Sequence, residues 1–291
     1  MNILVTGSNS QLGKSLKKLS DEKNIPHHFV FTSKEQLDLS SVSDLEIFIE
    51  SGNFDFIINF AAYTRVDEAE NNKLQANLIN HFAVKRIAEI SNKNQIKLIH
   101  LSSDFVFDGY KNAPYNENDI ALPLNIYGKS KYDGEQAILE VMKKNAIILR
   151  TSWMYSEYGN NFVDTILKLS RKKETLNVIC DQIGNPTYAG DLSKFIVKII
   201  MSEKINSNDQ SSKIFHYSNE GSCSWYDFAK EVIKISGNKC TINPILSKNY
   251  PSKAVRPKNS SMSKKKVIKE FDIKTIPWKN SLKRCIDNIS I

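Results

Sequence analysis

Short apolar runs alternate with helical stretches through the first half of this chain, and that alternation leaves few folds open. Residues 3–6, 29–31, 54–60, 97–101 and 146–149 read as strands, and residues 11–19, 40–51, 77–91 and 125–143 read as the helices between them. The strands are apolar along their length rather than on alternate residues, which requires burial of both faces. Strands and helices in that order specify a parallel sheet covered on both sides, an α/β doubly wound arrangement of the Rossmann kind, because crossovers between parallel strands are right-handed. With hydrophobic residues at 41% of 291, the chain can bury such a core.

The first strand runs into Gly7-Ser8-Asn9-Ser10-Gln11-Leu12-Gly13. A dinucleotide fold needs a tight turn there, followed by a helix whose free N–H groups meet a pyrophosphate. Gly7 supplies the turn and Gly13 permits close helix–strand contact. The middle glycine of the usual pattern is Ser10, whose hydroxyl either caps the helix or bonds a phosphate oxygen. The second strand ends in Thr32-Ser33-Lys34 with no carboxylate in that place. An NAD-selective fold carries one there, for the ribose hydroxyls. Ser33 and Lys34 are therefore expected nearest a 2′-phosphate, so that NADPH is accepted at least as well as NADH. Glu35 and Asp38 offset part of that gain, and Lys34 also reads as a solvated loop lysine.

A second motif suits carbonyl chemistry. Tyr127 and Lys131 stand four residues apart on the expected helix and so share a face. A nearby ammonium favours the phenolate and is expected to lower the tyrosine pKa, making it a general acid near neutral pH. The fourth strand ends in Leu101-Ser102-Ser103-Asp104, and the carboxyl ends of strands line the ligand crevice of an open α/β sheet. Ser103 and Tyr127 together would polarise a carbonyl oxygen while a nicotinamide cofactor, NADPH or NADH, delivers hydride.

The pattern loosens after Arg150. Helices are expected at 161–171, 191–201 and 224–235, between loops carrying Gly184, Pro186, Pro244, Pro251 and Pro257. The expected organisation is a dinucleotide-binding domain over residues 1–150 and a mainly substrate-binding domain over residues 151–291. Segments near 176–219 are able to return to the first.

The formal charge of +8 concentrates anions at the surface. No block of Lys and Arg interleaved with aromatics is present, and Lys264-Lys265-Lys266 reads as a solvated helix face, so a diphosphate-bearing metabolite is expected rather than nucleic acid. Cys180, Cys223, Cys240 and Cys285 are scattered and read as reduced, mostly buried thiols. No basic leader precedes the first strand and no apolar run reaches membrane-spanning length, so a cytoplasmic protein with no membrane partner is expected.

These residues resemble the extended short-chain dehydrogenases/reductases, and within that group the chain is similar to the dTDP-4-dehydrorhamnose reductases. The resemblance spans essentially the whole sequence. It rests on the runs 59–70, 102–109, 150–153, 161–163, 181–187, 225–229 and 256–260, which appear in family order. It implies NADH- or NADPH-dependent reduction at C4 of a dTDP-linked 4-keto-6-deoxyhexose. Tyr127 would then protonate the C4 oxygen, Lys131 would hold the nicotinamide ribose, and Ser103 would take a hydroxyl role that many relatives give to threonine. By the same resemblance Asp104 and Trp153 match substrate-contacting positions, although Asp104 also reads as a turn residue and Trp153 as a core aromatic. Ser10, Gln11, Leu12, Asp38, Leu39, Ala61, Ala62, Tyr63, Thr64 and Leu101 match positions along the cofactor. Some relatives are dimers joined by magnesium through glutamates. Ser15 stands at the position resembling one of those ligands, so no metal is expected, and the sequence leaves monomer and homodimer open. One competing reading is a reductase or epimerase of another nucleotide-linked 4-keto sugar. The other is a non-catalytic NADP-binding regulatory subunit, which predicts a damaged Ser–Tyr–Lys set; here all three residues are present.

Overall fold

A computed structural model describes residues 1–202 and 211–289. The first half builds β1 (Asn2–Thr6), α1 (Gln11–Lys23), β2 (His28–Thr32), α2 (Val42–Ser51) and β3 (Phe56–Asn59). It continues through α3 (Val66–Ala69), α4 (Lys73–Asn77), a π-helical turn Leu78–Phe82, α5 (Ala83–Lys93), β4 (Lys97–Ser103), α6 (Ile126–Val141) and β5 (Ala146–Thr151). The five strands pair in parallel in the order β5-β4-β3-β1-β2, and a sixth, Lys213–His216, adds in parallel beside β5. The doubly wound parallel sheet expected from the apolar runs is the observed fold. The strand order reverses between β1 and β3, and in open α/β sheets ligands bind outside the carboxyl ends at such a point.

Successive strand residues point to opposite faces, so each strand feeds two cores. Ile3, Val5, Phe56 and Ile58 pack against α1 and the helices Ala189–Ile200 and Lys265–Phe271. Leu4, Ile57, Leu98 and Ile148 pack against α2, α5 and α6. Removing a fully buried side chain of this size from water contributes roughly 1.5–3 kcal/mol, which explains why both faces are mostly apolar. A third core lies in the second half. The helices Phe162–Ser170, Trp225–Ser236 and Trp278–Ile289 enclose the parallel strands Thr175–Ile179 and Thr241–Ile245.

Three departures from the sequence reading have local causes. The stretch expected as one helix from residue 77 is broken by the π turn, which places the buried Asn80 toward the Tyr63 backbone. The helix Ala189–Ile200 and the strand Lys213–His216 lie in the stretch read as able to return to the first sheet, but the helix Lys265–Phe271, outside that stretch, packs there as well, because its apolar residues complete the core. Lys264 is not solvated. It is buried and faces Glu220, 3.8 Å away. The four cysteines are free, with Cys180 half-buried and the others buried. No described helix is long and apolar enough to cross a membrane.

Candidate active site

Gly7 adopts φ +71°, a left-handed conformation that side chains rarely take, and a Cβ there would stand 2.7 Å from the Ala61 amide nitrogen. A Cβ on Gly13 would stand 2.5 Å from the Gly7 carbonyl oxygen. The two glycines thus allow β1, α1 and the end of β3 to meet without side chains between them. Ser10 caps α1 by accepting from the Gly13 amide at 3.0 Å. Of the two uses read for its hydroxyl, capping is the one observed. The Gln11 and Leu12 amides form the first turn, where helix N–H groups lack intrahelical partners. The Leu12 side chain is buried in the sheet core, so only its backbone faces outward. The Gln11 side chain accepts from Ser156 at 2.9 Å, tying α1 to the second half.

A cavity of about 370 Å³ opens at the β1/β3 switch point. Gly7, Asn9 and Ser10 line one side, Lys34, Glu35, Asp38 and Leu39 another, and Ala61, Ala62, Tyr63 and Thr64 a third. Gln75 and Ile79, which no motif marked, also line it. Asn80 holds the Tyr63 backbone at both ends, accepting from its amide at 2.9 Å and donating to its carbonyl at 3.0 Å. Glycines that admit close approach, a helix N-terminus and a cavity at the switch point are the features a dinucleotide needs. Ser33 is not on this wall. Its hydroxyl hydrogen-bonds Glu35 and its amide donates to Gln36 at 2.9 Å. Lys34 is exposed and lies 3.9 Å from Asp38.

The Ser103 and Tyr127 hydroxyls meet at the end of β4. Asn125 caps α6 by accepting from the Gly128 amide at 2.8 Å, and Glu70 accepts from the Ile126 amide at 2.9 Å. Those two contacts fix the first turn, which carries Tyr127. Gly128 lets that turn approach the loop after β4, since a Cβ would stand 2.2 Å from the Phe105 carbonyl oxygen. The Phe105 ring packs edge-on to Tyr127 at 5.6 Å. Burial pushes the Tyr127 phenol up to about 12; the Ser103 hydroxyl acts against that and the Asp104 charge adds to it. The expected lowering by Lys131 is therefore not what sets this phenol. Lys131 is buried, and its Nζ donates to the Leu101 carbonyl at 2.6 Å. Leu101 thus enters through its backbone. Ser103 Oγ donates to Asp104 Oδ1 at 3.1 Å. Asp104 is buried, opening the short 3₁₀ turn Asp104–Val106, and burial raises its carboxyl to about 6 despite the Ser260 and Ser103 hydroxyls.

Trp153 sits at φ +44°, unusual for a bulky residue. Its half-buried indole stacks on Trp225 with ring centroids 3.5 Å apart and lies against Gly184, where a Cβ would meet it at 2.4 Å. Trp225 in turn lines a second cavity of about 300 Å³, with Phe162, Ile166, Val178, Gln182, Tyr250 and Arg256. Sequence reading missed Trp225 and Arg256 as site residues. Arg256 is held by Asp67, with Nη2 to Oδ2 at 2.6 Å and Nη1 to Oδ1 at 3.1 Å. Asp67 also accepts from the Lys253 and Ala254 amides. Asn125 donates to the Val255 carbonyl at 2.8 Å, joining the helix of Tyr127 to the same segment.

Comparisons with known proteins identify the family. A family model described as the RmlD substrate binding domain matches residues 1–291. A dTDP-4-dehydrorhamnose reductase of Aggregatibacter actinomycetemcomitans is 39% identical over 291 residues, 97% of this chain and 97% of that protein. The chain belongs to the dTDP-4-dehydrorhamnose reductase family. Solved structures of the family superpose along the full length. A dTDP-4-dehydrorhamnose reductase of Clostridium acetobutylicum is 34% identical, with a TM-score of 0.93 and 100% of both chains covered. One from Bacillus anthracis, in complex with NADP, is 34% identical with a TM-score of 0.91 and 99% of both chains covered.

Proposed function

We propose that this chain is an NAD(P)H-dependent reductase that converts the C4 ketone of dTDP-4-dehydro-L-rhamnose to the alcohol, giving dTDP-L-rhamnose. One observation carries the reading: the Ser103 and Tyr127 hydroxyls come together at the end of β4, in a sheet whose switch point holds a glycine-lined cavity.

The glycine-lined cavity fits NADPH or NADH. Gly7 and Gly13 would admit the pyrophosphate, and the Gln11 and Leu12 amides at the helix N-terminus would hold it. Ala61, Ala62, Tyr63 and Thr64 form the wall beside the dinucleotide. When bound, the reduced nicotinamide supplies the hydride. Every other part of the step falls to the chain. Ser103 turns its hydroxyl from Asp104 to the substrate carbonyl oxygen and polarises it. Tyr127, raised to about 12 by burial, is fully protonated at any working pH and gives its proton to the oxygen as negative charge forms there. Lys131, anchored on the Leu101 carbonyl, offers its remaining N–H groups to the ribose hydroxyls. Trp153 and Trp225 present a flat apolar surface to the sugar nucleotide, and the second cavity takes the part remote from C4. The relatives named dTDP-4-dehydrorhamnose reductase and the NADP held by the Bacillus anthracis structure support both halves of this assignment.

The test is an assay of the purified chain against dTDP- and UDP-linked 4-keto-6-deoxyhexoses, following oxidation of NADPH and of NADH. The dTDP-linked sugar is expected to give the highest kcat/KM. Faster turnover of a UDP-linked sugar, or epimerisation without net oxidation of the cofactor, would overturn the reading.

A further inference from the structure

Behind Lys131 lies a chain of buried polar groups that crosses the sheet from β1 to α6. Thr6 Oγ1 donates to Asn59 Oδ1 at 2.7 Å. Asn59 Nδ2 lies 3.1 Å from His100 Nδ1, and His100 Nε2 lies 3.3 Å from Lys131 Nζ. All four residues are at most 2% exposed. Three strands and a helix thus each contribute a polar side chain to an otherwise apolar core, and such networks are costly unless each group is satisfied.

Donors and acceptors along the chain have one consistent order. The Ala61 amide, which can only donate, faces Thr6 Oγ1 at 3.4 Å, leaving the hydroxyl proton for Asn59 Oδ1. Asn59 therefore turns its NH₂ toward His100 Nδ1, which must accept. A neutral imidazole that accepts at Nδ1 carries its proton on Nε2. Burial and the neighbouring Lys131 both hold the His100 pKa well below its ordinary value, so the ring stays neutral. The Nε2–H then faces Lys131 Nζ. An ammonium there brings two donors together, whereas an uncharged amine accepts from the imidazole.

Resting on the role given to Lys131 above, we propose that His100 is a positioning residue: clamped in its Nε2–H tautomer by Asn59 and Thr6, it fixes the place and the charge state of Lys131. Besides His100, the ionisable group whose charge acts on Lys131 is Glu135 on the same helix. Glu135 is already engaged, accepting from Arg150 Nε at 2.9 Å and Nη2 at 2.6 Å. Burial lowers Lys131 to about 8 while the Glu135 carboxylate acts upward. A lysine charged below that value and neutral above it gives activity that falls as pH rises through it.

Two measurements test the assignment. The first is ¹⁵N NMR of the cofactor-free protein labelled at histidine, with the His100 signals identified by their loss in His100→Gln. The Nε2–H tautomer is expected from pH 6 to 9, and an Nδ1–H or doubly protonated ring would overturn the proposal. The second is the pH profile of kcat/KM. The glutamine amide oxygen can accept from an ammonium, so His100→Gln is expected to move the basic limb upward by about one pH unit. A limb that stays in place overturns the positioning role, whatever happens to stability. Lys131→Met should abolish that limb. If the limb survives in Lys131→Met, the failure lies in the role given to Lys131 rather than in its link to His100.

Discussion

The two sides of the crevice are built by different means. The cofactor side comes mostly from three short stretches, residues 7–13, 34–39 and 60–64, that end or follow neighbouring strands. The proposed substrate side is gathered from Ser103, Asp104 and Trp153 together with Phe162, Gln182, Trp225 and Arg256 of the second cavity, which lie on separate elements of both halves. Its wall is held by a bond between Asp67 and Arg256, 189 residues apart. The first side is specified by backbone conformation, which a glycine records in the sequence. The second is specified by side-chain pairs that exist only after the chain has folded. A substitution in the clasp should therefore disturb sugar binding and leave the dinucleotide alone.

The largest effect is expected where both sides converge. Tyr127→Phe removes the proton donor but keeps the ring against Phe105, so turnover should fall by about two to four orders of magnitude. NADPH affinity, read by fluorescence titration, should stay within about twofold of wild type, since no cofactor bond to the ring is lost. Near wild-type turnover would remove Tyr127 from the chemistry.

A smaller effect separates the two sides. Asp67 is held far below the usual carboxylate range, chiefly by its hydrogen bond to Arg256. A depressed carboxylate contributes stability that is present above its unfolded value and lost only as pH falls through the folded one. The clasp is thus intact throughout the working range and fails in strong acid. Asp67→Asn should raise KM for the sugar nucleotide about three- to tenfold, the scale of a partly exposed ion pair, with NADPH affinity unchanged. An equal loss of NADPH affinity would break the comparison between the two sides.

The smallest effect belongs to Lys34. It borders the cofactor cavity but is exposed and lies near Asp38. Lys34→Ala should lower kcat/KM with NADPH by about threefold and leave NADH use unchanged. An equal fall with both cofactors would mean that Lys34 does not meet a 2′-phosphate.

The same contrast explains what was legible in the sequence. The sheet was, because apolar strands with no polar face can only be buried on both sides. The glycine loop and the helix of Tyr127 were, because Gly7, Gly13, Ser10 and Asn125 act locally, through turns and caps. The π turn at Leu78–Phe82 was not, since one extra residue in a turn barely shifts the apolar period. The packing of Lys265–Phe271 on the sheet was not either, since it depends on core residues supplied by distant segments. Reading Lys131 as the group that tunes Tyr127 rested on spacing alone, whereas burial of the phenol is the larger effect once the loop after β4 covers it. Ser33 is not among the residues lining the cavity, and its hydroxyl meets Glu35, a contact that the order of residues alone does not specify.

The central claim is that hydride passes from a reduced nicotinamide to C4 of a dTDP-linked sugar while Tyr127 supplies the proton. It is tested most directly by turnover of dTDP-4-dehydro-L-rhamnose with NADPH deuterated at the transferable C4 position, with the product analysed by NMR. The account predicts deuterium at C4 of the rhamnosyl unit, in a single configuration. Product without deuterium at C4, or with deuterium at another carbon, would contradict it.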